Sequence, residues 1–206
     1  MSRRTGLILD FGGVLTTSVA ACALAFERRS GLAEGALLTA LAIDPRGLAL
    51  YEDLERGAIS QAEWNTGTGD IIGIDGTDLL GRMLADLHPE PRVIEAARAA
   101  RAAGVKVGIL SNSLGMEPHN PYDGYELDRH YDAVLLSEHY RMRKPDPAIY
   151  QIMLDLMELP AEACVFVDDT AHNLPPAEEL GITTILAADP AETVARIHTA
   201  LELPLT

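Results

Sequence analysis

The sequence predicts an α/β fold, in which a mostly parallel sheet is covered by helices on both faces. Short apolar runs alternate with helical patterns through most of the chain, and this alternation is typical of parallel sheets. About ninety residues separate the first two apolar runs. A parallel crossover needs only a dozen or more residues, so this gap indicates a domain inserted after the first strand.

Five short apolar runs are predicted to form the strands of the sheet, over residues 7–11, 105–110, 133–136, 165–167 and 183–186. The first run ends in Asp10 and Phe11, and a glycine pair, Gly12 and Gly13, follows. Open α/β folds bind ligands at the carboxyl ends of their strands. We therefore expect Asp10 to stand at the binding edge of a central strand.

Four helices are predicted outside the inserted domain, over residues 91–103, 147–157, 175–181 and 191–201. The first has Pro91 in its opening turn and Gly104 just past its end. Proline is favoured at the start of a helix and glycine just beyond its end. This helix is therefore expected to link the inserted domain to the second strand.

The inserted domain is predicted to be a helical cap formed by residues 17–88, while residues 1–16 and 89–206 form the α/β core. Residues 60–63 have the sequence Ser-Gln-Ala-Glu, which is the pattern of a capping box at the start of a helix. The cap carries several such helical segments and few strand signals. We therefore expect it to be built from helices.

Two segments have compositions typical of loops. Residues 65–78 are rich in glycine, threonine and aspartate and are predicted to form a loop within the cap. Residues 112–132 carry prolines and three tyrosines. We expect this second segment to be irregular and to line the entrance of the site.

The composition excludes several classes of function. A formal net charge of −15 would repel nucleic acid. Apart from the apolar stretch near the start of the chain, no segment approaches the roughly 20 uninterrupted apolar residues that a membrane span needs. Arg3 and Arg4 precede an apolar stretch that resembles an export signal, but Asp10 within it opposes that interpretation. Cys22 and Cys164 are too few for a disulfide framework. We predict a cytoplasmic protein without a nucleic-acid or membrane partner.

Polar residues follow four of the apolar runs or their neighbouring loops, in the order Asp10, Ser111-Asn112, Lys144-Pro145 and Asp168-Asp169. Taken singly, each has an ordinary interpretation as a turn residue, a surface charge or a helix cap. Parallel strands end on one edge of a sheet, so the strand-borne residues are expected to converge. The chain has only two lysines, Lys106 and Lys144, and Lys106 lies at the start of a strand. Lys144 is therefore the candidate cation of the site.

In these residues the chain resembles the haloacid dehalogenase-like (HAD) hydrolase superfamily, in the subgroup with a helical cap between the first and second motifs. The matching segments are residues 9–15 for motif one, 109–112 for motif two, 143–147 for motif three, and 165–169 with Asn173 and Gly181 for motif four. The stretch from Lys144 to Ile185 is similar to the N-terminal phosphatase domain of soluble epoxide hydrolase. The resemblance implies a Rossmann-like parallel sheet core with an inserted α-helical cap.

The resemblance also implies a nucleophile and a metal ion. Asp10 would attack phosphorus to form an aspartyl-phosphate that water then cleaves. Mg²⁺ would be held by Asp10, Asp169 and the backbone carbonyl of Gly12, which are oxygen ligands of the kind that ion prefers.

The other motif residues would bind the transferring group or support those that do. Ser111 and the amide of Asn112 would bind the phosphoryl oxygens, and Lys144 would balance the charge on Asp10 and the phosphate. Asp168 would orient Lys144. Asn173 would fix the motif-four loop by hydrogen bonding.

Gly12 departs from the phosphatases of this family, in which an aspartate usually stands two residues after the nucleophile. That aspartate protonates the leaving oxygen and later activates water, and such help is worth roughly 10² to 10⁴ in rate. Three consequences remain open: the protein hydrolyses activated phosphates, another side chain substitutes, or only binding is retained. The candidate substitutes are His172 and an acid from the cap.

The predicted function is a Mg²⁺-dependent phosphatase acting on a small phosphorylated metabolite. The alternative is a weakly active or non-catalytic protein that binds a phosphorylated ligand or a protein partner. Haloacid dehalogenation is a lesser alternative, because dehalogenases of the family do not use Mg²⁺ and usually lack the acid pair Asp168-Asp169. The sequence does not name the substrate, and both a monomer and a homodimer fit it. Leu37, Leu38, Leu41 and Leu48 are predicted to form the cap's own core.

Overall fold

A five-stranded parallel sheet forms the centre of the fold. The computed structural model describes residues 4–203, so residues 1–3 and 204–206 of the predicted core lie outside the described residues. The strands are β1 (Gly6–Leu9), β2 (Lys106–Ser111), β3 (Ala133–Leu136), β4 (Cys164–Asp168) and β5 (Thr183–Leu186). Their order in the sheet is β3-β2-β1-β4-β5, and every pairing is parallel. This architecture confirms the predicted α/β class with a Rossmann-like sheet.

The register of the sheet brings three of the motifs to one edge. Leu9, the last residue of β1, pairs with Ile109 of β2 on one side and Val167 of β4 on the other. The backbone N–H of Asp10 continues this ladder and donates to the carbonyl of Val167 at 2.9 Å. Because the strands run parallel, Asp10 lies beside the carboxyl ends of β2 and β4. Ser111 is the last residue of β2 and lies at the same edge.

Eleven α-helices are present in the described residues, none of them long and apolar enough to cross a membrane. They are α1 (Val19–Ser30), α2 (Ala36–Ala42), α3 (Pro45–Glu55), α4 (Gln61–Ile72), α5 (Leu79–Met83), α6 (Pro91–Ala102), α7 (Leu127–His130), α8 (Ser137–Tyr140), α9 (Pro147–Met157), α10 (Leu174–Glu179) and α11 (Pro190–Ala200). One apolar cluster lies on the sheet face covered by α6 and α11, and a second lies under α9 and α10. The sheet is therefore buried on both faces, as its apolar strands require.

The helices between β1 and α6 have an apolar cluster of their own. Trp64 and Leu37 are fully buried in it, and Leu41 is 6% exposed. Leu48, in contrast, is 37% exposed, so it is not part of that cluster. We keep the name cap for residues 17–88, and the exact division between cap and core stays a prediction.

The prediction of a loop over residues 65–78 was wrong in its first half, because α4 continues to Ile72. Glycine disfavours helix interiors, but here it permits close packing. A Cβ built at Gly69 would lie 2.8 Å from the backbone of Gly76. The helix ends at Gly73, which adopts a left-handed conformation with φ of 72°. Tertiary packing therefore overrides the local propensity of this segment.

Candidate active site

One carboxylate oxygen of Asp10, Oδ1, is held by two contacts, whereas the other, Oδ2, is not held by any described residue. Oδ1 accepts a hydrogen bond from the backbone N–H of Phe11 at 2.7 Å and lies 2.9 Å from Lys144 Nζ. Oδ2 has no hydrogen-bond partner among residues 4–203. The residue is 8% exposed. Burial raises the pKa of Asp10 well above its usual range, the charges of Asp168 and Asp169 act in the same direction, and Lys144 opposes them. The oxygen without a partner is thus available to a substrate or a cation.

Lys144 joins two of the motifs in the interior of the protein. Its side chain is fully buried, and its ammonium bridges Asp10 Oδ1 at 2.9 Å and Asp168 Oδ2 at 2.7 Å. Burial disfavours the charged form, but the two carboxylates prevail and raise the pKa of Lys144 above its usual value. The site therefore holds a permanent, immobile positive charge beside Asp10. The other lysine, Lys106, lies at the opposite end of β2 and contacts the carbonyl of Met157 at 2.9 Å.

Asp168 is fully engaged as a hydrogen-bond acceptor. Besides Lys144, its oxygens accept from Asn173 Nδ2 at 3.1 Å each and from the backbone N–H of Thr170 at 2.8 Å. Asp168 is fully buried and Asn173 is 6% exposed. These contacts orient the carboxylate toward Lys144. They leave it less suited to hold a metal ion than its neighbour Asp169.

The carboxylates of Asp10, Asp168 and Asp169 lie within 4.8 Å of one another. Only one ammonium, that of Lys144, neutralises them among the contacts described. Burial raises the pKa of Asp169, and the charge of Asp168 adds to this shift. Mutually repelling carboxylates gain from a bound cation, and hard oxygen donors suit Mg²⁺. With Asp168 committed to its donors, Asp10 and Asp169 are the residues that fit such an ion. The carbonyl of Gly12 has no hydrogen-bond donor among residues 4–203 and fits as a third ligand.

The two glycines after Asp10 differ in their surroundings. Gly13 has a φ of +75°, and a Cβ there would lie 2.0 Å from Asp169 Oδ2. Only glycine lets the chain pass Asp169 this closely. Gly12 has no such constraint, because a Cβ there would contact only Val19 Cγ2, at 3.6 Å. The space beside Gly12 is thus open, and glycine supplies no side chain to fill it.

Ser111 is paired with a residue that sequence reasoning did not single out. Its hydroxyl lies 3.0 Å from the hydroxyl of Tyr122, and burial raises the pKa of Tyr122, which stays neutral. The ring of Tyr122 packs against Phe11 with centroids 4.6 Å apart. The only sequence signal for Tyr122 was the group of three tyrosines in residues 112–132. That segment is mostly irregular, and it contributes the hydroxyl of Tyr122 to the site.

Asn112 uses its side chain to join motif two to motif three. Its Nδ2 donates to the carbonyl of Lys144 at 3.1 Å, and its Oδ1 accepts from the backbone N–H of Lys144 at 2.8 Å. The backbone N–H of Asn112 has no hydrogen-bond partner in the described part of the chain. If Asn112 binds a phosphoryl group, the backbone N–H is therefore the donor that remains for it.

The cap contacts the core through acids that the sequence did not mark. Arg143 Nη1 donates to Glu52 Oε1 at 2.9 Å, and Arg143 Nε donates to Glu55 Oε2. The two glutamates stand at the end of α3, 91 and 88 residues before Arg143. Ionic pairs so far apart in the chain carry no local signal. His172, the other candidate substitute for the missing acid, is exposed on a turn after β4.

The parallel sheet, its helical insert and the buried acid cluster at the carboxyl edge together define an α/β protein with a carboxylate-centred site. Residues 5–181 match the family model for haloacid dehalogenase-like hydrolases. The chain belongs to this family of hydrolases, and its relatives include phosphatases.

Two curated relatives illustrate the kinship. The chain is 38% identical over 111 residues to bifunctional epoxide hydrolase 2 of Rattus norvegicus, a match that covers 52% of this chain and 20% of that protein. It is 27% identical over 152 residues to sesquiterpene phosphatase astK of Aspergillus oryzae, covering 72% and 77% of the two chains. The chain thus spans about a fifth of the length of the rat protein.

Solved structures agree on the fold. A HAD family enzyme from Bacteroides thetaiotaomicron, crystallised with magnesium and inorganic phosphate, superposes with a TM-score of 0.68. The superposition covers 90% of this chain and 96% of that one, at 20% sequence identity. The two chains share the fold.

Proposed function

We propose that the protein is a Mg²⁺-dependent phosphatase that acts on a small phosphorylated molecule through Asp10. The observation that carries the proposal is the buried Lys144 ammonium, which contacts Oδ1 of Asp10, while Oδ2 has no partner in the part of the chain that the structure describes. A carboxylate held in this way is a preorganised nucleophile. The phosphatase among the relatives supports the choice of a phosphate ester as substrate.

In the first half of the reaction, Asp10 Oδ2 attacks phosphorus and the leaving oxygen departs. The hydroxyl of Ser111 and the backbone N–H of Asn112 bind phosphoryl oxygens, while Lys144 offsets the growing negative charge. Asp168 keeps the ammonium of Lys144 in place. Asp10, Asp169 and the Gly12 carbonyl would hold Mg²⁺, which would supply positive charge to offset that of the phosphoryl group. In the second half, water attacks the aspartyl-phosphate and restores Asp10.

The acid pair of motif four favours this chemistry over dehalogenation. Displacement of a halide needs no divalent cation, and three carboxylates with one ammonium leave an excess of negative charge at the site. A cation between Asp10 and Asp169 removes that excess. The cap, docked on the core by Arg143, restricts the site to small substrates.

The test is phosphate release from acetyl phosphate and 4-nitrophenyl phosphate, with and without Mg²⁺. We expect release that requires Mg²⁺ and is lost in Lys144→Met. The matched control is Lys106→Met, which removes the other lysine, at the far end of β2. No release from either substrate would favour a ligand-binding protein, and metal-independent halide release from a 2-haloacid would favour a dehalogenase.

A further inference from the structure

The cap helix α3 brings an acid next to the site. Glu55, its last residue, is 5% exposed, and its backbone carbonyl accepts a hydrogen bond from Ser137 Oγ at 2.5 Å. Ser137 Oγ in turn accepts from the backbone N–H of Ser113 at 2.8 Å. Ser113 stands two residues after Ser111, at the same strand end. The end of α3 is thus fixed against the segment that carries the proposed phosphate-binding groups.

The carboxylate of Glu55 has one oxygen held and the other without a partner. Arg143 Nε donates to Oε2, and the same arginine is held by Glu52 at 2.9 Å. Oε1 accepts no hydrogen bond from any residue in the described range, and the side chain keeps 6% of its surface accessible. Arg143 immediately precedes Lys144, whose charge acts on Glu55. Glu55 is therefore positioned by one oxygen and able to hold a proton on the other.

We propose that Glu55 is the general acid and base of the reaction. It takes the role of the aspartate that Gly12 replaces in this chain. A carboxyl from the cap then performs the proton transfers that a residue at position 12 performs elsewhere in the family. Dehalogenation and ligand binding have no leaving oxygen to protonate, so this role of Glu55 rests on the proposed phosphatase function.

The surroundings of α3 support this placement. Tyr51, one helical turn before Glu55, interacts electrostatically with Asp10 and Asp169 as well as with Glu55. The same face of α3 therefore lies close to the carboxylates of the site. Gly12 places no side chain in the space beside it. A group from the cap can therefore reach a leaving oxygen there without displacing another acid.

The environment of Glu55 also favours a protonated carboxyl. Burial raises its pKa to about 7, with Arg143 opposing the shift and Lys144 opposing it further. Glu52, on the same helix, adds to the rise. The short helix α8, which packs against α3, carries a further acid, Glu138. A general acid is most effective when its pKa lies near the working pH, and Glu55 meets that condition near neutrality.

The proton transfers balance over the two halves of the reaction. As Asp10 Oδ2 bonds to phosphorus, the bond from phosphorus to the leaving oxygen breaks, and that oxygen takes the proton from Glu55. The products are an alcohol, the aspartyl-phosphate and the Glu55 carboxylate. In the second half Glu55 takes a proton from the water that bonds to phosphorus, and the bond from Asp10 to phosphorus breaks. Inorganic phosphate leaves, with Asp10 ionised and Glu55 protonated again.

Glu55→Gln is the variant that tests this role, because it keeps the shape of the side chain and removes the proton. With Mg²⁺ present, we expect kcat/KM for acetyl phosphate and 4-nitrophenyl phosphate, which reports the attack by Asp10, to stay within about threefold, since these leaving groups need little protonation. For an alkyl phosphate such as ethyl phosphate, kcat/KM should fall by about 10² to 10⁴. On every substrate kcat should fall, because the water that attacks the aspartyl-phosphate loses its base. Equal losses of kcat/KM on both kinds of substrate, or no loss of kcat/KM on ethyl phosphate, would overturn the assignment.

Glu52→Gln is the matched control, because it removes the other ion pair between α3 and Arg143 and leaves the pair of Arg143 with Glu55 in place. A purely structural contact between cap and core predicts equal behaviour of the two variants. We expect Glu52→Gln to change kcat/KM for both kinds of substrate alike, without the selective loss on ethyl phosphate. The same selective loss in both variants would refute a proton-transfer role for Glu55.

A measurement on the unaltered protein covers the case in which Glu55→Gln does not fold. Across a series of aryl phosphates, a protonated leaving group makes kcat/KM nearly independent of the leaving-group pKa. A steep fall with rising leaving-group pKa would overturn the role of Glu55 while leaving the proposed phosphatase intact. Absence of Mg²⁺-dependent release from every phosphate in the series would instead reject the proposed function itself.

Discussion

Replacing Gly13 by alanine should displace Asp169, and the structure gives the size of the effect. The new Cβ would lie 2.0 Å from Asp169 Oδ2 and 2.3 Å from its Cγ, where non-bonded heavy atoms normally stay about 3.5 Å apart. The carboxylate therefore has to move by more than about 1 Å, a displacement that can cost about 10²-fold in rate. The φ of +75° adds about 1 to 2 kcal/mol of backbone strain for a residue with a Cβ.

The assay compares Gly13→Ala with Gly12→Ala, an identical change one residue earlier. At Gly12 the new methyl contacts only Val19, at 3.6 Å, so its stability should change by less than about 1 kcal/mol. Urea unfolding measures stability, and Mg²⁺ titration of phosphate release measures the metal site. We expect Gly13→Ala alone to need much more Mg²⁺ and to lose about 10²-fold in turnover. Equal Mg²⁺ dependence in the two variants would refute the placement of Asp169 against Gly13 and its role as a metal ligand.

Three further predictions concern stability. Lys144→Met should destabilise the fold by about 3 to 5 kcal/mol in urea unfolding, because it leaves the carboxylates of Asp10 and Asp168 buried without their cation; a change as small as that of Lys106→Met would contradict the buried bridge. The pKa of Glu55 is raised from 4.5 to about 7, so the folded state binds more protons than the unfolded state between pH 4.5 and about 7. The free energy of unfolding should therefore fall by about 3 kcal/mol as the pH rises through this window. Glu55→Gln should flatten that slope, and an unaltered slope would show that other groups cause it. Tyr122→Phe should cost about 1 kcal/mol through the lost hydrogen bond to Ser111, and thermal unfolding at an unchanged temperature would argue against that bond.

The proposed site divides proton transfer and nucleophilic attack between core and cap. Asp10, Lys144 and Asp168 lie on rigid strand ends or loops beside them, whereas Glu55 belongs to a helix of the inserted cap. If Glu55 transfers the proton, hydrolysis of poor leaving groups requires the cap to be docked through Arg143. Docking of the cap then limits the access of bulk water during the attack by Asp10, and substrate choice depends on the same helix that completes the chemistry.

Much of the fold was predictable because its signals are local. The runs that form β1 to β5 are apolar, bounded by turn residues and separated by helices with proline near their starts, and each feature acts within a few residues. The helix over Pro147–Met157 was predicted at its observed bounds. The failure at residues 65–78 has a physical reason, since Gly69 permits the close approach of Gly76 and the sequence shows only that glycine is a poor helix former.

The sequence by itself determined the class of the fold and the order in which Asp10, Ser111 and Asp169 reach one edge of the sheet. These follow because parallel strands must end on the same side, whatever the details of packing. Only the tertiary structure decided which oxygen of Asp10 is left without a partner and which glycine faces Asp169. It also decided that Glu55 lies beside the motif that carries Lys144. These contacts join residues far apart in the chain, so they depend on how the cap docks and on side-chain packing that no local pattern encodes.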